Sequence, residues 1–132
     1  MNSFNFKSSV CTSREQSERL LALGLKKETA DMCWTKMARI SGTFYVPELA
    51  PINMVSWRHT PAWSLHRLID MMPEEMYGGL LCIFKDSIRY EEVIMDRLEA
   101  HFEVVGDDMY DNAISCIEWL IKEGVFPKEY LV

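Results

Sequence analysis

The stretch Glu91–Val105, "EEVIMDRLEAHFEVV", decides the fold class, because two readings compete for it. "EEVIMDRLEAH" is rich in helix formers and sets Ile94, Leu98 and His101 on one side of a helix. From Leu98 onward, however, Leu98, Ala100, Phe102 and Val104 alternate strictly with Glu99, His101 and Glu103, the two-residue period of a half-buried strand. The alternation holds to the end of the stretch and short turns precede it, so residues 88–105 are read as strands. "LLCIF" (80–84), after the "YGG" breaker and before the "KDS" turn, is a further strand.

Upstream, "MCWTKMARI" (32–40) and "TFYV" (43–46) read as short strands separated by "SG". "KKETADMCW" begins with one helical turn, and Pro47 and Pro51 imply irregular backbone from about 47 to 60.

Three helices frame these strands. In "TSREQSERLLALGL" (12–25), Thr12 is placed to cap and Glu15 to reach back, a capping box. Glu15 with Arg19 and Arg14 with Glu18 are i,i+4 ion pairs. Gly24 suits the left-handed stop, with Leu25 folding towards Leu20. In "HTPAWSLHRLIDMMP" (59–73), Leu65, Leu68, Ile69 and Met72 form an apolar stripe. Ser64 is the better cap, with Trp63 and Leu68 as a hydrophobic staple; Thr60 with Pro61 is the alternative start, and Pro73 ends the helix. The last helix is capped by Asp107 or Asp108, presents Tyr110, Ala113, Ile114, Ile117, Leu120 and Ile121, and stops at Gly124. The tail "VFPKEYLV" is apolar enough to dock.

The expected architecture is a single α+β domain over residues 11–132, preceded by a flexible arm, residues 1–10. A small, mostly antiparallel sheet packs against two or three helices. The chain of 132 residues is 48% apolar and 26% charged, ordinary globular values. No apolar run is long enough to span a bilayer, and the start lacks the pattern of a signal peptide. Four scattered cysteines imply free thiols in a reducing compartment, hence a cytoplasmic protein. Residues 1–66 hold eight Lys/Arg and five Asp/Glu, a net of +3; residues 67–132 hold six and fifteen, a net of −9. This acidic balance argues against nucleic acid and anionic membranes, while the asymmetry suits self-association or a basic partner.

"TSREQSERLLALGL…TADM" (12–32), "PAWSLHRLIDMMP" (61–73) and "YDNAISCIEWLIKEGVF" (110–126) together resemble a family of small uncharacterised proteins met in gut bacteria and their phages or mobile elements. The likeness lies in caps, stops and core positions. Residues 33–60 and 86–105 match poorly. The resemblance implies an intracellular, phage or mobile-element setting and carries no activity and no functional residue.

Candidate chemistry is sparse. His66 and Asp70, at i,i+4, could share a metal ion, but both lie with Arg67 on the polar back of their helix, where a cation is disfavoured. Cys82 is a conceivable nucleophile but sits among apolar neighbours. Glu91 and Glu92 would face opposite sides of a strand. "SWRHTPAW" interleaves Arg58 and His59 with Trp57 and Trp63, in the manner of single-strand binders, on one arginine only. No cofactor motif and no metal-ligand spacing occurs. Nine methionines and four tryptophans point to core filling or an adaptable surface, with Trp119, Trp57, Trp63 and Met76 as candidate partner contacts. Trp119 lies about 140° around the last helix from Ile114 at about 100° per residue, so it must be covered by something else or left wet; the nearest cover is the tail, and otherwise it anchors another chain. The expected function is a non-catalytic interaction or accessory protein of phage or mobile-element type, with a protein partner or homodimer contact near the last helix. The alternatives are a small enzyme using Cys82 or the His66/Asp70 face, and a nucleic-acid-associated regulator.

Overall fold

The computed structural model describes residues 9–132, and the reading of residues 1–8 as a flexible arm lies outside them. Ser9 is held by its carbonyl, which accepts from the Tyr110 hydroxyl, and Cys11 and Thr12 are buried.

The fold is α+β, but its strands form two sheets where one was expected. The first, in the order β2-β1-β3, joins β1 (Met32–Arg39), β2 (Gly42–Leu49) and β3 (His59–Ala62). The second, β4-β5-β6-β7, joins β4 (Glu75–Met76), β5 (Gly79–Phe84), β6 (Ser87–Ile94) and β7 (Arg97–Val105). All pairings are antiparallel. Helix α1 (Arg14–Ala22), α2 (Leu65–Asp70) and α3 (Met109–Lys122) meet between the sheets, with α3 on β6 and β7. One core joins Leu20, Trp63, Leu68, Tyr90, Ile117 and Leu120. The chain is irregular from 50 to 58, so the expected irregular stretch is shorter than 47–60 and gives way to strand at both ends. Pro47 lies in edge strand β2 and Pro61 in edge strand β3, where no ladder needs the missing N–H on the open side.

Helix α1 begins one residue later than the sequence suggests. Ser13 is the cap and Gln16 completes the capping box. Thr12 is drawn inward instead: its N–H donates to the Trp63 carbonyl at 2.8 Å, its Oγ1 accepts from the Trp63 N–H at 3.1 Å, and its carbonyl accepts from Trp34 Nε1 at 2.8 Å. The expected pairs along α1 give way to tertiary partners. Arg19 reaches Glu118 on α3, and Arg14 lies 3.7 Å from the centre of the Tyr45 ring. Gly24 stops the helix at φ 103°, and the Leu25 N–H closes back on the Leu20 carbonyl.

Ser64 caps α2, taking the Arg67 N–H while its own N–H and hydroxyl donate to Asp31. Asp108 caps α3. The tail docks through Phe126, which is buried, and through a bridge between Leu131 and Leu25.

The deciding stretch is a β-hairpin. Ile94 pairs with Arg97 around Met95 and Asp96, both at positive φ, the two-residue geometry that matches strand twist. Its faces differ from the expected alternation. Tyr90 pairs with Phe102 but Glu91 with Ala100, so His101 is an extra residue, a β-bulge. The bulge flips the strand. Phe102 and Val104 point at α3, with buried Tyr90 and Ile88, while Leu98 and Ala100 face solvent with Val93.

Candidate functional site

The residues singled out in the sequence do not converge. Trp63 is fully buried, with Nε1 donating to Thr29 Oγ1 at 2.9 Å, and Met76 is buried in the same core. Neither presents a surface to a partner, because the chain itself consumes both. Trp57 is 74% exposed, in the loop between β2 and β3.

Within the chain, the aromatic rings against Trp119 come from the second sheet rather than from the tail. Its cover is the second sheet: Phe102 stacks on it at 4.9 Å between ring centres, Tyr90 lies at 5.8 Å, and Tyr77 approaches edge-on at 6.5 Å. The helical angle was right in removing Trp119 from the stripe that meets α1 and α2. What fills that side is a sheet whose inward residues could not be known before the bulge.

On α2, Asp70 pairs with Arg67 at 3.0 Å, and Arg67 Nε also donates to the Thr29 carbonyl. The ion pair takes the carboxylate that a His66/Asp70 site would need. Cys82 lies on β5 opposite Arg89, whose guanidinium is engaged by Glu91 at 3.0 Å and Glu103 at 2.5 Å. Cys11 and Cys116 are buried, and desolvation pushes their thiols up, to about 11 and about 12. A thiol held protonated in this way is a poor nucleophile. Among the described residues no three His, Cys, Asp or Glu side chains gather as metal ligands.

The tertiary structure does assemble one polar cluster that the sequence did not signal. Glu92 on β6 meets His101 Nε2 at 2.8 Å, and the Tyr77 hydroxyl donates to Glu123 at 3.0 Å beside them. Bonding to Glu123 favours the neutral phenol and raises the Tyr77 pKa. Tyr77 stands edge-on to both His101 and Trp119. The "YGG" turn makes this closeness possible. A Cβ on Gly78 would meet Glu92 at 2.9 Å, and one on Gly79 would meet His101 at 2.9 Å. Glu91 and Glu92 diverge, one to Arg89 and one to His101, as neighbours in a strand must. The cluster seals the end of α3 against the sheet. A concavity of about 360 Å³ lies elsewhere, lined by Lys27, Glu28, Asn53 and Met54 among others, with neither histidine nor cysteine.

The surface that stands out is the outer face of the second sheet. The register places Leu80, Phe84, Val93, Leu98 and Val105 there, all exposed, Val93 at 67% and Leu98 at 70%. Its central charges are paired, Arg89 lying between Glu91 and Glu103, which leaves one carboxylate in excess. The exposed apolar side chains on either side of this triad are suited to association. Alternation within β5 would have suggested it, but the bulge in β7 hid half of it.

No protein-family model matches the chain, and no curated protein and no solved structure is similar to it. Among the described residues, no helix is long and apolar enough to cross a membrane.

Proposed function

We propose that this chain is a non-catalytic interaction or accessory protein that works in the cytoplasm through the outer face of its β4–β7 sheet. The observation that carries the reading is the row of exposed apolar side chains on that face, Leu80, Phe84, Val93, Leu98 and Val105, around an internally paired arginine. Exposed apolar side chains gathered on one sheet face mark association sites. Free thiols, three of them buried, suit a reducing compartment. The phage or mobile-element setting rests on the sequence resemblance alone.

The test compares baits in the native host. Wild type, a Val93→Glu/Leu98→Glu variant and an Ile40→Glu control at the tip of the β1–β2 hairpin are used to capture partners. The reading requires a protein held by wild type and by the control and lost from the double variant. Equal capture by all three would refute it.

A further inference from the structure

We infer that the open edge of β7 docks the same edge of a second copy of this chain, the two strands running antiparallel about a twofold axis through Leu98. The inference rests on the interaction reading above and names its partner.

Three of the four sheet edges are blunted. Edge strands β2 and β3 carry Pro47 and Pro61, and β4 is two residues long. Proline and short length are among the devices by which sheets avoid edge pairing; β7 has neither, and its bulge blunts only the half beyond Ala100. Strand β7 spans nine residues without proline, and among the described residues no strand lies beyond it. The closing pair of a two-residue hairpin exchanges both backbone bonds, so Arg97 spends its groups on Ile94. By alternation, Leu98 and Ala100 turn their N–H and C=O outward. The bulge at His101 comes after this segment and leaves it regular.

Charge then selects the register. For two copies to keep their apolar faces on one side, the twofold axis must pass through a residue. An axis through Glu99 would oppose Glu99 to the partner's Glu99. An axis through Leu98 sets Arg97 against the partner's Glu99, twice by symmetry, and Leu98 against the partner's Leu98. Leu98 is then a hydrogen-bonded pair. The two Arg97–Glu99 pairs fall at non-hydrogen-bonded sites, where side chains stand closer. Among the described residues, neither Arg97 nor Glu99 has an ion-pair partner in its own chain. Axes farther along meet the bulge, which puts Leu98 and Phe102 on opposite faces. In the Leu98 register, Val93 and Leu98 of both copies form one continuous apolar strip.

The experiment is sedimentation over a concentration series for wild type, Arg97→Glu, Glu99→Arg and the double swap, with circular dichroism to verify folding. Wild type is expected to dimerise. Each single swap puts like charges opposite one another at two symmetric sites and weakens the dimer about tenfold or more. The double swap restores it, which a loss of folding would not allow. A wild type that stays monomeric at its highest soluble concentration would overturn the proposal, as would a dimer indifferent to the single swaps. In either case the interaction reading survives if Val93→Glu/Leu98→Glu still loses a captured partner, so the two failures are separable.

Discussion

The indole of Trp119 stacks on the ring of Phe102, with centres 4.9 Å apart and planes 23° from parallel, and this contact locks the last helix to the edge strand. Both side chains are only partly buried, so they act as a clasp at the border of the core. Trp119→Ala is expected to cost about 2–4 kcal/mol, somewhat below a fully buried aromatic. A double-mutant cycle with Phe102→Ala should return about 0.5–1.5 kcal/mol of coupling by denaturant titration. The oligomeric state should not respond, because no second chain is needed to cover the indole.

Trp63 and Thr29 give a second, sharper contrast. Thr29→Val removes the acceptor of the buried Nε1 bond and leaves the indole N–H unsatisfied. It should cost about 1–3 kcal/mol. If chemical denaturation shows no loss for Thr29→Val, then water or another acceptor reaches Trp63, contrary to its complete burial.

The start of α1 can be tested by comparing neighbours. Ser13→Ala removes the cap and should cost about 1 kcal/mol. Thr12→Ala strips a buried hydroxyl that accepts from the Trp63 N–H and sits 2.8 Å from Ser17 Oγ. Its loss should exceed that of Ser13→Ala, whereas a cap at Thr12 would make Ser13→Ala nearly silent.

The thiols predict an alkaline limit. Cys116 and Cys11 are raised by desolvation from 9.0 to about 12 and about 11. Between those values the unfolded chain has lost protons that the folded chain retains. Stability is therefore fully present below pH 9 and falls as pH rises from there towards 12. Buried Tyr90, also raised, acts in the same sense. Thermal melts should show Tm dropping above pH 9, and less so in Cys116→Ala relative to its own value at neutral pH. In the native protein Cys82, the half-exposed thiol, should react first with a thiol reagent.

Local chemistry was readable in the sequence wherever a few neighbouring residues settle the matter. Ser64 and Asp108 cap their helices and Gly24 and Gly124 end theirs, because those positions need a particular side chain or a left-handed backbone within one turn. Strand character in 88–105 was likewise legible, since a two-residue period is a local signal. What the strand faced was not. One extra residue, His101, reverses the inside and outside of β7, and a bulge is chosen by the pairing partner across the ladder rather than by the strand's own residues. The same limit hid the cover over Trp119, the transfer of the cap from Thr12 to Ser13, and the division into two sheets. Each depends on which distant surface competes for the same side chain, and Trp63 won Thr12 from the helix because a buried N–H costs more unpaired than an exposed cap is worth. The elements of this protein were therefore set by neighbours in the chain, while its solvent-facing apolar surface was set by one ladder offset that only the packed sheet determines.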